Sequence, residues 1–298
     1  MIHSLKLGTR KSMLALAQSS AVARQLEQMH AGLKTELVGI ETRGDRTLDL
    51  PLSKMEGKDF FVAELDRALL DGTVDFTVHS MKDLSLERPP ELALAAIPAR
   101  ENPRDIVLFA PDIIRRLRAG SPIRLGTSSP RRIENVPPFL QKALPQYSHT
   151  PRIVTREIRG NINTRIGYLS QPEDSPEKID AAVLAFAGLT RLWDSPDGRQ
   201  ALEVLLAGLR WMVLPLRECP AAPGQGALAI ECRTDDRVTR DLLAGIHCET
   251  TAATVEQERQ VLAQAGGGCH QRFGATLEQH EGLGALLHVR GSGPDGAT

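Results

Sequence analysis

Four places in the chain put a cation where the start of a helix repels it. In LGTSSPRR, Ser129 suits an N-cap and Pro130 the first helical position, so Arg131 and Arg132 fall in the first turn. Each such cation opposes the helix dipole by roughly 0.3–1 kcal/mol. LGTRKS places Arg10 and Lys11 at the start of a long helix, and HSMKD places Lys82 just after Ser80, another cap. EIRGNINTR puts Arg159 before an Asn161 cap and Arg165 one turn later. One such residue alone reads as a solvated surface arginine. Four junctions together predict an anion held by backbone N–H groups, hydroxyls and guanidinium forks. Carboxylates and phosphates both suit that description. The chain has no GxxxxGKS/T loop and no GxGxxG after a strand, so a nucleotide is not the first choice. The 28 Arg against 8 Lys point the same way, because only Arg grips such groups bidentately.

Three further residues could carry chemistry. Asp83, beside Lys82, reads either as a salt-bridge partner or as a proton-handling carboxylate in a cationic setting. Cys269 follows Gly266-Gly267-Gly268, which lets backbone and thiol approach a ligand closely. Cys219 and Cys232 lie in or near apolar runs and read as core residues, as does His79 at the end of an apolar strand. Cys248 stands beside His247, but adjacency in sequence does not make a nucleophile–base pair. The eight histidines form no HxxxH or HExxH pattern, so no metal site is expected.

The elements that must position these residues alternate in type. Strands are expected at 5–9, 36–42, 75–80, 105–110, 123–127, 152–157 and 180–185. Helices are expected at 12–29, 61–70 and 249–264. The strands are rich in Val, Ile and Leu on both faces, which predicts mainly parallel sheets covered by helices. In such sheets ligands bind beyond the C-terminal strand ends, where the cationic junctions lie. Segment 43–59 is polar, carries Gly and Pro, and reads as a long mobile loop of the kind that forms lids.

The charge sum is −1, so nothing global draws the chain to nucleic acid or an anionic membrane. No run approaches the roughly 20 apolar residues of a membrane span. The N-terminus has no apolar core of a signal peptide, and the four cysteines show no CxxC spacing. A cytoplasmic protein with reduced thiols is expected.

The motifs LGTRKSMLALAQ, GDRTLDLPL, HSMKDL, LGTSSPRR, IRGNINTR, AFAGLTRL, PAAPGQGALAIECR and GGGC occur in an order that resembles the porphobilinogen deaminase (hydroxymethylbilane synthase) family, over nearly the whole chain. The resemblance implies an α/β fold of two lobes like type II periplasmic binding proteins, with the active cleft between them, and a small α+β C-terminal domain. The implied boundaries are 1–103 with 222–244, then 104–218, then 245–298. The implied reaction is a transferase step that joins four porphobilinogen molecules head to tail. Ammonia leaves at each addition, and linear hydroxymethylbilane is finally released. A dipyrromethane cofactor, bound by a thioether to Cys269, is the primer. A non-catalytic, two-lobed binder of polycarboxylate anions is the alternative.

By resemblance, Asp83 is the catalytic carboxylate. Lys82, Ser80, Thr127, Ser128, Ser129, Arg131 and Arg132 hold the cofactor together with Cys269. Arg10, Lys54, Arg159, Arg165, Arg191, Phe61 and Gln225 bind substrate, and a monomer is expected. The chain departs from the family at Pro130, where Leu is usual, at Asp59, where Gly is usual, and in HQRFG after Cys269. The family also continues a few tens of residues past GPDGAT, so Leu286, Leu287 and Val289 are expected to be less covered.

Overall fold

The computed structural model describes residues 4–42, 62–266 and 272–292. Lys54, Phe61, Cys269 and the segment 43–59 lie outside the described residues. Along the chain come β1 (Ser4–Arg10), α1 (Met13–Met29), β2 (Lys34–Ile40), α2 (Ala63–Leu70), β3 (Phe76–Ser80) and β4 (Leu92–Ala96). There follow β5 (Asp105–Phe109), α3 (Ile113–Arg118), β6 (Ile123–Gly126), α4 (Pro130–Ala143), β7 (Ile153–Arg156) and α5 (Ile162–Gly167). Then come β8 (Ala181–Ala185), α6 (Phe186–Trp193), α7 (Pro196–Leu205), β9 (Arg210–Val213), β10 (Leu228–Arg233), α8 (Arg237–Ala244) and α9 (Glu249–Gln264). A hairpin of β11 (Arg272–His280) and β12 (Gly284–Ser292) ends the described chain.

The chain divides into two compact units. Met1–Glu101 and Gly224–Ala263 form the first; Asn102–Pro223 and the hairpin belong to the second. The first holds a sheet ordered β2-β1-β3-β10-β4, the second a sheet ordered β7-β6-β8-β5-β9. Within each, four strands run one way and one runs against them: β10 pairs antiparallel with β3 and β4, and β5 with β8 and β9. The sheets are therefore mixed, two parallel and two antiparallel pairings in each, which corrects the expectation of mainly parallel sheets. The reversed strand is in each case the one with which the chain enters or re-enters that unit, so no crossover helix fixes its direction.

Central strands are buried on both faces, as their largely apolar sequences favour: every residue of β5, and all but the last of β3, β8 and β10. In the first unit Leu5, Leu7 and Phe76 pack against Val22 and Leu26 of α1. In the second, Val107, Leu125 and Val183 pack against Val136 and Leu140 of α4.

One charged cluster crosses the first core. Arg88 donates from Nε and Nη2 to both oxygens of buried Glu231 (2.9 and 2.8 Å), and from Nη2 to Asp66 (2.6 Å). His79 Nε2 lies 2.9 Å from Thr77 Oγ1 and 3.4 Å from Glu231 Oε2. Asp66, His79 and Glu231 thus offer ligand-type atoms within 4.8 Å of one another, and the Arg88 guanidinium supplies the cation there. The cluster ties β3 to β10, and β3 ends at Ser80 and the Lys82–Asp83 turn.

Burial, reinforced by the positive charges of Arg88 and Arg10, holds the His79 pKa down at about 3. An unfolded histidine takes up its proton near pH 6.5, so below that value the unfolded chain binds a proton that the folded chain does not. Stability must therefore fall with pH across this window. In urea melts, His79→Gln should flatten the loss seen between about pH 7 and pH 5; identical slopes for both proteins would contradict the assignment.

Candidate functional site

Parallel pairing brings the cationic junctions to common sheet edges. In the first unit β1 pairs with β3 in the register Gly8 to Thr77, so Arg10 and Ser80 close adjacent strands. Ser12 then caps α1, accepting a hydrogen bond from the Ala15 N–H at 3.3 Å. Gln18 on α1 donates to Ser80 Oγ at 3.2 Å, which spends the hydroxyl expected to cap the next turn. That turn is a single 3-10 turn, Met81–Asp83. Met81 is buried, Lys82 is half-buried and Asp83 is exposed. Lys82 Nζ donates to Gln225 Oε1 at 3.3 Å. Among the described residues no donor or cation pairs with the Asp83 carboxylate, so the salt-bridge reading of Asp83 finds no partner there.

Gln225 sits in the turn of the PGQG motif, and its residue is buried. Gly224 adopts φ +73°, and a Cβ there would come within 2.6 Å of Met81 Cγ, so glycine is what lets this turn lie against the Asp83 turn. The turn is anchored by charge. Glu258 on α9, fully buried, accepts from Gly224 N–H (2.7 Å) and from both terminal nitrogens of Arg100 (2.7 and 2.9 Å). Arg100 Nε in turn donates to the Gln225 carbonyl at 2.8 Å.

In the second unit β6 pairs in parallel with β7 and β8, and its end runs into Thr127, Ser128 and Ser129. Thr127 N–H extends the ladder to the Arg156 carbonyl, Thr127 Oγ1 accepts from Ser129 N–H, and Ser128 Oγ donates to the Ile158 carbonyl. Ser129 is the N-cap residue and Pro130 opens α4, as expected. Arg131 and Arg132 do fall in the first turn, but they are only 3% and 6% exposed and their first partner is internal. Arg132 donates from Nε and Nη2 to the two oxygens of Asp105 (3.2 and 2.8 Å) and from Nη1 to the Val183 carbonyl. Arg131 Nη1 lies 2.9 Å from Asp105 Oδ2 and donates to the Pro220 carbonyl.

Burial alone would raise the Asp105 pKa; the two guanidiniums outweigh it and hold it well below the usual carboxylate range. Burial lowers that of Arg131. Two buried guanidiniums against one carboxylate leave a surplus positive charge, and several of their ten N–H donors remain for a further anion. Asp105 was not singled out from sequence. Its only signal is an acid heading the otherwise apolar strand DIVLF.

Asn161 caps α5, accepting from the N–H and hydroxyl of Thr164 at 2.9 and 3.0 Å. Gly160 before it adopts φ +96°, and a Cβ there would come within 2.8 Å of Thr164. Arg159 and Arg165 flank this turn, and Arg165 Nε donates to the Gly160 carbonyl at 2.8 Å. Arg191 lies in the last turn of α6. Cys219 and Cys232 are buried, and burial pushes their thiols up to about 12 and about 11, which suits core residues. Cys248 receives a hydrogen bond from Thr251 Oγ1, while His247 Nδ1 accepts from Ile97 N–H, so the adjacent pair is divided between separate partners.

Fold and residues together define an α/β protein with arginines and hydroxyls at strand ends in each of its two units, and the exposed carboxylate of Asp83 just past β3 in the first. Residues 5–241 match the family described as porphobilinogen deaminase, dipyromethane cofactor binding domain. The porphobilinogen deaminase of Listeria monocytogenes serotype 4a is 41% identical over 270 residues, 90% of this chain and 79% of the relative. That of Syntrophotalea carbinolica is 40% identical over 89% of this chain and 76% of its own length. That of Listeria welshimeri is 40% identical over 98% and 85%. Among solved structures, YhfZ from Shigella flexneri aligns with a TM-score of 0.38 at 13% identity, covering 89% of this chain and 92% of its own. The chain belongs to the porphobilinogen deaminase family, transferases of tetrapyrrole biosynthesis with a dipyrromethane cofactor.

Asp105→Asn leaves two buried guanidiniums without their counter-charge and should cost about 3–5 kcal/mol in urea unfolding. Citrate should recover part of the loss by standing in for the missing anion. Unchanged stability in the variant would show that Asp105 does not hold these arginines.

Proposed function

We propose that Asp83 is the catalytic carboxylate of this chain's porphobilinogen deaminase reaction, and that the cationic junctions of both units bind the carboxylates of cofactor and substrate. One observation carries the role of Asp83: an exposed carboxylate, unpaired among the described residues, on a turn whose neighbours are all tied down. A catalytic acid–base group needs this combination of a fixed backbone and a free head group.

The donor set fits dipyrromethane, whose acetate and propionate groups call for cations, hydroxyls and amides. Arg131 and Arg132 carry surplus positive charge, Thr127, Ser128 and Ser129 add hydroxyl and amide groups, and Lys82 and Ser80 add one cation and one hydroxyl. Cys269 is the residue we assign to the thioether, within a cofactor-bearing segment 245–298. When bound, the dipyrromethane supplies the pyrrole carbon to which porphobilinogen is joined.

Arg10, Arg159, Arg165, Arg191 and Lys54, with Gln225 and Phe61, are assigned to porphobilinogen. Its two carboxylates give arginine forks a bidentate target. As ammonia leaves the aminomethyl carbon, positive charge spreads over the substrate's pyrrole ring. Asp83 accepts a hydrogen bond from the ring N–H and stabilises that charge electrostatically. Lys82, next to Asp83 in sequence, has its ammonium held by Gln225. We read the enzyme as a cytoplasmic monomer. No described helix is long and apolar enough to cross a membrane; two of the described cysteines are buried as free thiols, which suits a reducing compartment.

Asp83→Asn changes one atom and no packing, so folding should be kept while kcat falls at least about 100-fold. Turnover near wild type would refute the role of Asp83. Cys269→Ser should yield a chain whose intact mass equals the bare polypeptide. A variant still carrying covalent pyrroles would move the attachment elsewhere.

A further inference from the structure

We propose that Arg259 is a positioning residue that holds the Asp83 turn in its working geometry, a role that rests on the catalytic assignment of Asp83. The turn has little holding it locally. Met81–Asp83 is one turn of 3-10 helix, closed by a single bond from Leu84 N–H to the Met81 carbonyl at 3.2 Å. Short 3-10 turns have poor hydrogen-bond geometry and leave their last carbonyls without intrahelical partners.

Arg259 takes up those carbonyls from far along the chain. Its Nη1 donates to Leu84 O at 3.0 Å and to Met81 O at 3.4 Å, and its Nη2 donates to Ser85 O at 2.8 Å. The three acceptors bracket Lys82 and Asp83 on both sides. A cation at this end of the turn is also favoured by the aligned peptide dipoles. Val255, one helical turn before Arg259 on α9, packs in the cluster that contains Met81 and Leu84, so the same helix face supplies an apolar stop beneath the turn.

The residue just before Arg259 on α9, Glu258, holds the Gly224–Gln225 turn through Gly224 N–H and Arg100. Gln225 is the partner of Lys82. One turn of α9 therefore fixes the backbone under Asp83 and the side chain that orients its neighbour. Arg259 bonds backbone carbonyls rather than the Asp83 carboxylate, which makes it a positioning residue. The three acceptors suit a planar fork of five donors; a lysine ammonium reaches them only in part.

The test uses the full-length enzyme with its cofactor, comparing Arg259→Met, Arg259→Lys and wild type. Three quantities are measured: kcat and KM for porphobilinogen, amide hydrogen exchange over residues 81–86, and thermal unfolding. Arg259→Met should lower kcat roughly 10- to 100-fold, as expected for a small misplacement of a reacting group. KM should change by less than about threefold, since ground-state binding is untouched. Exchange should speed up in 81–86 while the rest of the chain keeps its protection, and Arg259→Lys should restore part of both effects. Unchanged exchange in 81–86 would overturn the grip. Faster exchange with unchanged kcat would overturn its importance for the reaction, as would a kcat loss matched by a loss of folded protein and not relieved by Lys. If Asp83→Asn proved active, the function assigned to Asp83 would fall, whereas the exchange result would still decide the grip separately.

Discussion

The structure turns on positive charge placed where a folded chain does not want it. Arg131 and Arg132 are buried in the first turn of α4, against both the helix dipole and the cost of desolvation. Asp105 cancels only one of the two charges. The fold holds Asp105 against them at the head of a strand buried along its whole length, and on the proposed assignment a pyrrole carboxylate takes the remaining charge. On the proposed assignment, a cofactor carboxylate completes a site the protein has left one charge short.

The first unit solves a different problem. In the role proposed for it, the exposed carboxylate of Asp83 stays unpaired to act on a substrate, and its position is fixed through backbone and neighbours. Ser80 is held by Gln18, Lys82 by Gln225, and the turn's carbonyls by Arg259. Beneath them Arg88 ties Glu231 of β10 to Asp66 of α2, and His79 of β3 lies against Glu231. Buried ion pairs are weak as sources of net stability but define one geometry sharply, because breaking any of them strands a charge.

Local signals in the sequence carried much of this. Ser12, the Ser129–Pro130 pair and Asn161 mark helix starts where the chain has them, and α9 spans the same residues, 249–264, that its pattern indicated. The cationic junctions were visible because helix-start chemistry is local and a cation there is anomalous. The partners of those cations were not. Arg88 meets Glu231 across 143 residues, Arg100 meets Glu258 across 158, and Arg259 meets Leu84 across 175. No periodicity or cap motif links such pairs. Glu231 stands within LAIECR and Asp105 heads DIVLF, and neither setting names a partner. The reversed strands β5 and β10 were equally hidden, since strand direction depends on which neighbour is met in space.

The central claim is that these residues carry out a polymerisation and do not merely bind polycarboxylates. The most direct measurement is the stoichiometry of products when the purified chain is given porphobilinogen. The account predicts one ammonia released for each porphobilinogen consumed, and one linear tetrapyrrole for every four. Porphobilinogen that binds but is recovered intact, with no ammonia released, would contradict it.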